Sequence, residues 1–259
     1  MDQDVLATMA LAASVASDLQ RRWASGTPPT NQAGETSTPL ARTPDGPPTP
    51  QGRCNPYWDI VRWLPVDTSE AESAARVNGN WGLNNDLYGC SRDALARVYT
   101  FAIPSPRDVE FLVRQLAGRA VLELGAGTGY WAWQLAQAGV DVRAVDSGQW
   151  IAGGYLSPVH YHPVHTGSIE QIAQHPHRVL MLCWPDDRKP FAAQALRAYS
   201  GNELIYIGEN ANGCIADEDF YYVLGSDWQL VAGSGGHINF TGLNSEVGHY
   251  RRRHASCGT

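Results

Sequence analysis

The sequence predicts an α/β protein built on a doubly wound, mostly parallel seven-stranded sheet with a C-terminal antiparallel hairpin. Two observations predict this fold class. From residue 119 onward, short apolar strand patterns alternate with helical patterns, which is typical of a parallel sheet that helices cover on both faces. The last two strand patterns, at 228–233 and 248–253, lie on either side of a loop that we expect to be exposed, so they predict a hairpin.

The elements of the sheet follow in chain order. The apolar run at 121–124 ends in glycines and predicts the first strand, and residues 129–139 have helical spacing with a terminal glycine. The same reasoning predicts strands at 141–146, near 163–166, at 179–184 and at 203–209, and helices at 168–174, 190–200 and near 216–224.

The chain ahead of the sheet divides by composition. Residues 5–23 carry apolar side chains at intervals of three and four, which predicts an amphipathic helix that docks on the rest. Residues 25–52 hold seven of the 16 prolines and almost nothing that could form a core, so we expect a linker or an extended strap. The predicted units are a helix and Pro/Thr-rich strap (1–52), a helical, aromatic cap or lid (53–114) and a core (115–259).

Charge and cysteine spacing exclude several classes of protein. With 19 basic and 26 acidic residues the formal charge is −7, which disfavours a nucleic-acid partner. No apolar run approaches the roughly 18–20 residues that cross a bilayer, so we expect no membrane partner. The five cysteines are at least 31 residues apart and have no zinc-finger spacing, which predicts a reduced, cytoplasmic protein without a metal site.

A glycine-rich loop follows the first predicted strand. Gly125, Gly127 and Gly129 would make a tight turn where side chains would block a ligand's approach, and the N–H groups of the next helix would face that ligand. Asp146 ends the next strand, where a carboxylate can accept hydrogen bonds from both hydroxyls of a ribose. The two features together predict a nucleoside site.

The spacing of this loop separates two kinds of nucleoside site. A dinucleotide fingerprint would need a third glycine where Tyr130 stands, whereas this loop reads Glu-x-Gly-x-Gly-x-Gly from Glu123. With the acid at the end of the second strand, residues from about 96 to 252 resemble the class I, Rossmann-like S-adenosylmethionine-dependent methyltransferases; no subfamily is identified. An NAD-linked oxidoreductase is the alternative.

The resemblance implies S-adenosyl-L-methionine as the cofactor and assigns residues to it. Gly125, Ala126 and Gly127 would line the methionine moiety with help from Glu123, Asp146 would hold the ribose, and residues 166–168 would touch the adenine. The full set of predicted cofactor residues is Glu123, Gly125, Ala126, Gly127, Gly129, Asp146, Ser168 and Cys183.

Methyl transfer from a sulfonium is an in-line displacement, for which a protein aligns the nucleophile and excludes water, and a base is optional. The predicted catalytic residues are Asp186 and Glu209, which follow two strands, and His162 as a general base. His162 lies in a histidine-rich stretch for which a plain surface loop and a metal site are alternatives. Cys183-Trp184-Pro185-Asp186 departs from the Asn/Asp-Pro-Pro-Tyr/Phe motif of amide and base-nitrogen methylation, which leaves oxygen, carbon or amine acceptors.

Aromatic side chains are the predicted substrate contacts. Trp81, Tyr88 and Tyr99 would form a lid and Trp184 would line the acceptor pocket, although the first three could equally form the cap's own core. We expect the nine tryptophans to gather around the cofactor and acceptor, which favours a flat substrate.

These inferences predict a methyltransferase that acts by O-, N- or C-methylation on a small aromatic or heterocyclic molecule in bacterial specialised metabolism. Its partner would be that acceptor, and a homodimer is left open. Two alternatives remain. One is a protein of this fold that binds the cofactor without methyl transfer, as a regulator or another catalyst, and the other is a peptide or protein methyltransferase.

Overall fold

A seven-stranded sheet organises the structure, a computed structural model that describes residues 3–25, 53–64, 76–77, 92–211 and 213–253. The strands are β1 Arg76–Val77, β2 Val121–Leu124, β3 Val142–Asp146, β4 Val164–Thr166, β5 Val179–Cys183, β6 Glu203–Gly208, β7 Trp228–Gly233, β8 Asn239–Phe240 and β9 Glu246–Arg252. The helices are α1 Gln3–Ala24, α2 Pro56–Val61, α3 Arg92–Val98, α4 Pro106–Leu116, α5 Tyr130–Gln137, α6 Gln149–Ala152, α7 Glu170–Gln174, α8 Phe191–Ala198 and α9 Glu218–Asp227.

The strand order of the large sheet is β4-β3-β2-β5-β6-β9-β7. The first five strands are parallel, and every residue of β2 and β6 is buried because helices cover both faces. The order reverses between β2 and β5, so the carboxyl ends of these strands and of β3 open into one crevice. The predicted fold class is confirmed.

The C-terminal hairpin closes the sheet. Strand β9 runs antiparallel to β6 and to β7, with a bulge between Leu230 and Ala232. The expectation of an exposed loop between the arms is wrong, because Ile238 and Phe240 are buried and β8 pairs in parallel with β1. Their apolar side chains pack beside Val77 in the same cluster as the N-terminal helices, a contact that a local pattern cannot reveal.

Helix starts shift by one or two residues from the sequence prediction, and one helix between the strands was not predicted. Helix α9 begins at Glu218, because the Asp217 side chain accepts a hydrogen bond from the Phe220 N–H and caps it there. The short helix α6 was not predicted, and it follows Gly148, whose positive φ of 73° turns the chain after β3.

The N-terminal helices pack on the core. Helix α1 buries Ala12 completely, in one cluster with Tyr57 of α2, Leu95 of α3 and Tyr130 of α5. Helix α4 packs instead with the sheet cluster around Val121, so the predicted boundary at 114/115 falls inside it. Of the predicted strap at 25–52, residues 26–52 lie outside the described residues. Within the described segments, no helix has both the length and the apolar character to cross a bilayer.

Candidate functional site

The glycine loop between β2 and α5 needs its glycines. Gly125, Gly127 and Gly129 have φ values of 79°, 53° and 72°, a region that side chains disfavour. A Cβ at Gly129 would stand 2.9 Å from Cγ2 of Val164, and one at Gly127 would stand 3.2 Å from Cδ1 of Leu156. Backbone conformation and neighbouring side chains therefore both select glycine here.

Asp146 ties two loops together at the carboxyl end of β3. Its Oδ2 accepts a hydrogen bond from the Gly127 N–H at 2.8 Å, and its Oδ1 accepts one from the Gly148 N–H at 2.7 Å. A carboxylate oxygen has two lone pairs, so each oxygen can still accept one more hydrogen bond. Asp146 is 9% exposed and faces a cavity.

This cavity, of about 240 Å³, lies between the glycine loop, the segment after β5 and the residues that follow α3. Six of the predicted cofactor residues line it, namely Gly125, Ala126, Gly127, Asp146, Ser168 and Cys183. Two of the predicted substrate residues, Tyr99 and Trp184, and one predicted catalytic residue, Asp186, line it as well. Trp81 and Tyr88 lie outside the described residues.

Glu123 does not line the cavity but lies beneath the glycine loop. Burial raises the pKa of its carboxyl from 4.5 to about 8, against the opposing effect of a hydrogen bond from the Ala132 backbone and with a further rise from the charge of Asp146. Its Oε2 is buried and has no hydrogen-bond partner among the described residues. Glu123, a residue of β2, is therefore largely protonated at neutral pH and contacts the first turn of α5 at the Ala132 backbone.

Cys183 lines the cavity as a neutral thiol. Burial raises its pKa well above the ordinary value, the charge of Glu123 adds to the rise, and hydrogen bonds with Thr100 and Ala102 only partly oppose it. Since the thiolate is the reactive form of cysteine, this side chain is a packing group and not a nucleophile.

The charged carboxylate of Asp186 is already bound by Arg188. Its Oδ1 accepts hydrogen bonds from the backbone N–H and from Nε of Arg188, both at 3.1 Å. Burial alone would raise the pKa of Asp186, but these hydrogen bonds and the charge of Arg188 hold it below its ordinary value. Its Oδ2 is buried without a hydrogen-bond partner among the described residues.

Two predicted catalytic residues lie elsewhere, and both assignments need correction. Glu209 is 4% exposed and accepts hydrogen bonds from the Cys214 N–H at 2.8 Å and the Asn244 N–H at 3.0 Å, so its carboxylate fastens two loops. The His162 ring Nε2 lies 3.2 Å from the Val142 carbonyl oxygen and is absent from the cavity lining. In the described part of the chain, no group of three or more metal-ligating side chains could hold a metal ion.

The tryptophans are more dispersed than expected. Trp150 and Trp184 line the cavity, whereas Trp131 packs with α4 and the sheet, and Trp228 stacks on Tyr199 at a centroid distance of 6.1 Å. Trp58 is buried in the cluster of the N-terminal helices. Most of the described tryptophans therefore serve the core, because a large ring gains most from full burial.

Several lining residues were not among the predicted site residues. Gln149 and Trp150 follow the acid of β3 and could have been found from that position, whereas Phe101 reaches the cavity only through the packing of the N-terminal helices. Lys189, the sole lysine of the chain, also lines the cavity, and its Nζ donates to Oε1 of Gln149 at 2.9 Å.

Comparisons with known proteins give weak likenesses. No protein-family model and no curated protein matches the sequence. Magnesium protoporphyrin IX methyltransferase from Synechocystis PCC 6803 with bound SAM is 18% identical over 56% of this chain and 78% of that chain, with a TM-score of 0.40. The same enzyme with bound SAH is 14% identical over 67% and 90%, with a TM-score of 0.41. TehB from Haemophilus influenzae is 14% identical over 63% and 68%, with a TM-score of 0.39.

Likenesses of this strength carry no argument about activity, so the site is interpreted from its own residues. The order and direction of the strands are observed directly. The chain therefore has the doubly wound sheet with a closing antiparallel hairpin that its resemblance to the class I S-adenosylmethionine-dependent methyltransferases implies.

Proposed function

We propose that the protein is an S-adenosyl-L-methionine-dependent methyltransferase that acts on a small, flat molecule. The observation that carries the proposal is the position of Asp146 opposite the glycine loop, in the crevice where the strand order reverses. Open α/β sheets bind their ligands in this crevice, and an acid at the end of the second strand is placed to meet ribose hydroxyls.

The residues present fit the proposed cofactor. Asp146 keeps an acceptor lone pair on each oxygen for two ribose hydroxyls, and Gly125 and Gly127 offer a surface that a Cβ would fill. When bound, the cofactor supplies a methyl group on a sulfonium. The chain's own task is then to bind both molecules, orient the acceptor and exclude water.

Glu123 favours this cofactor over a dinucleotide. A pyrophosphate binds to free N–H groups and positive potential at a helix N-terminus. Here the Glu123 carboxyl accepts a hydrogen bond from the Ala132 N–H in the first turn of α5, so that N–H is not free for a phosphate. Tyr130 also occupies the position of the third glycine in a dinucleotide loop.

The acceptor side supports a flat small molecule. Phe101 and Trp184 present aromatic surface to the cavity, and rings of this kind stack on planar ligands. The ring of Tyr99, by contrast, packs against Tyr57 and Tyr130 in the cluster of the N-terminal helices. The charge of −7 disfavours a polyanionic substrate such as a nucleic acid.

Titration calorimetry of the full chain with S-adenosylhomocysteine and with NAD tests the cofactor. We expect saturable binding of S-adenosylhomocysteine and no binding of NAD, and the reverse result would overturn the proposal in favour of an oxidoreductase.

Incubation with methyl-labelled cofactor and a panel of small aromatic acceptors tests methyl transfer. Cofactor binding without any transfer would favour a regulator or another catalyst. Label found in proteins of a treated extract, by intact mass, would favour a peptide or protein methyltransferase.

A further inference from the structure

The wall of the cavity beyond the glycine loop is built from stacked rings. Phe101 stacks on Trp184 at a centroid distance of 6.1 Å and an interplanar angle of 12°, and on Tyr155 at 6.2 Å and 9°. Phe101 and Trp184 line the cavity, whereas Tyr155 contacts Phe101 outside the lining. Of the three nearly parallel rings, Phe101 and Trp184 therefore present aromatic surface to the cavity.

Trp184 holds its place in a strained backbone conformation. Its φ is 51°, in the left-handed region that a bulky side chain rarely adopts. The Trp184 N–H donates to the Ile207 carbonyl at 2.9 Å, and the Pro185 carbonyl accepts from the Ala216 N–H at 2.9 Å, so both sides of the turn are fixed. Strain of this kind concentrates at functional sites, and here it fixes the position of the ring at the carboxyl end of β5.

Positive charges flank this aromatic surface. Arg92 does not itself line the cavity, but its guanidinium carbon lies over two rings that do, 5.2 Å from the Trp184 ring centroid and 5.6 Å from that of Phe101. Lys189 Nζ lies 5.7 Å from the Trp150 ring and donates to the neutral amide of Gln149. No ion pair of Lys189 occurs within the described ranges, whereas Arg97 is paired with Asp93 at 3.1 Å.

The two carboxylates of the described lining each have hydrogen-bond partners within the protein. Asp146 accepts hydrogen bonds from two backbone N–H groups, and Asp186 is bound to Arg188. No other carboxylate and no histidine occurs in the lining formed by the described residues. Asp186 keeps an unpartnered Oδ2, but its lowered pKa makes the carboxylate a weak base, and no histidine of the described lining is placed to deprotonate an acceptor.

We propose that the acceptor is a planar aromatic oxyanion, a carboxylate or a phenolate, that stacks on the Phe101–Trp184 surface near Arg92 and Lys189 and is methylated on oxygen without a protein base. This inference rests on the proposed function. An oxygen lone pair of the anion attacks the methyl carbon, the O–C bond forms, the C–S bond breaks and its electron pair stays on sulfur. No proton moves, so the absence of a base in the described lining is no obstacle.

Three probes of equal shape and different charge test the recognition of charge. 2-Naphthoate, naphthalene-2-carboxamide and 2-naphthylmethylamine are titrated into the full chain, with and without S-adenosylhomocysteine, and binding is followed by calorimetry. We expect 2-naphthoate to bind at least about tenfold more tightly than the amide, and the amine to bind most weakly. Equal affinities, or tightest binding of the amine, would overturn the inference.

Two variants test which cationic side chains recognise the negative charge of 2-naphthoate. Lys189→Gln and Arg92→Gln should each reduce the preference for 2-naphthoate over the amide, whereas Arg197→Gln, on an exposed side chain paired with Asp219, should leave it unchanged. An undiminished preference in both of these variants would contradict the assignment. If Arg92→Gln fails to fold, Lys189→Gln and the three probes still test whether the site prefers an anion.

Methyl transfer separates the two kinds of oxyanion and tests for a base. The initial rate with 2-naphthoate should not fall between about pH 7 and 5.5, a range below the pKa of about 8 of Glu123, whereas the rate with 2-naphthol should rise towards the pKa of a phenol, about 10. A fall in the 2-naphthoate rate at low pH with a midpoint near 7 would reveal a protein base and contradict this inference. Failure of S-adenosylhomocysteine to bind would instead overturn the proposed function.

Discussion

At the scale of single residues, Asp146 has two structural bonds and two free lone pairs. Its carboxylate links the glycine loop to the turn at Gly148, and the remaining acceptor capacity faces the cavity. The same side chain therefore shapes the site and is available to a ligand.

Asp146→Ala should weaken binding of S-adenosylhomocysteine by about 1–3 kcal/mol, which is roughly 5- to 150-fold in Kd, because two charged-acceptor hydrogen bonds are lost. Calorimetry measures the effect, with Asp219→Ala as a control at a side chain that is 65% exposed. Unchanged affinity would sink the assignment of Asp146 to the ribose. For Asp146→Asn, which keeps one acceptor oxygen, we expect an affinity for S-adenosylhomocysteine between those of the parent and of Asp146→Ala.

Glu123 makes the stability of the protein depend on pH. Its pKa in the folded state is about 8, against an ordinary value of 4.5. Between these values the folded state holds a proton that the unfolded state has released, so the free energy of unfolding falls as pH rises through this window. The contribution is present below pH 4.5 and is lost as pH passes 8.

Glu123→Gln should remove this slope, because a neutral amide does not titrate. Urea unfolding at several pH values should show that the variant gains stability relative to the parent by up to about 1.4 kcal/mol per pH unit within the window. Asp186 and Glu203, whose pKa values are lowered, act with the opposite slope at more acidic pH and are common to both proteins. Parallel curves for parent and variant would contradict the buried, protonated state.

At the scale of elements, the starts of α5 and α6 use glycine in the same conformation but in different surroundings. Gly129 and Gly148 have φ values of 72° and 73°, and each lies at the N-cap of its helix. A Cβ at Gly129 would meet Val164, whereas a Cβ at Gly148 would meet nothing within 4 Å. A comparison of Gly129 with Gly148 therefore separates the cost of backbone strain from the cost of steric exclusion.

Gly148→Ala should cost about 1–2 kcal/mol of stability from the left-handed backbone alone. Gly129→Ala should cost a further 1–3 kcal/mol or so, because the added methyl group is forced against Val164 Cγ2. Chemical denaturation measures both values. Equal losses would show that β4 yields to the methyl group and that only the conformation selects glycine.

At the scale of the whole molecule, one hydrogen-bonded aromatic cluster joins the N-terminal helices to the core. Tyr130 of α5 packs edge-on to Tyr57 and Tyr99, and its hydroxyl donates to Oδ1 of Asn55 at 2.9 Å. Asn55 also donates to the Pro104 carbonyl and caps α2. The two parts therefore share buried surface and should unfold together.

Asn55→Ala should lower the free energy of unfolding by about 1–3 kcal/mol, since buried partners lose their hydrogen bonds. Thermal unfolding followed by near-ultraviolet and far-ultraviolet circular dichroism should give one shared midpoint in the parent and one lower, shared midpoint in the variant. Ser17→Ala, at an exposed hydrogen bond on α1, should leave it unchanged. Two separate midpoints in the parent would mean that the N-terminal helices fold independently of the core.

The sequence by itself determined the sheet, the glycine loop and the acid that faces it. Strand and helix periodicity, turn glycines and a carboxylate at a strand end are local signals, and the strand pattern places 121–124 and 141–146 almost where β2 and β3 lie. Residues such as Gly127 and Asp146 reach the cavity because the fold class fixes where strand ends meet.

Only the tertiary structure decided which of the other polar and aromatic side chains face that cavity. Glu209 lies at the end of a strand, as Asp146 does. Its carboxylate, however, accepts hydrogen bonds from the loop N–H groups of Cys214 and Asn244. Phe101 joins the wall and Glu123 becomes a neutral acid through contacts between segments far apart in sequence. Burial, stacking and charge depend on such distant neighbours, which local residue patterns do not encode.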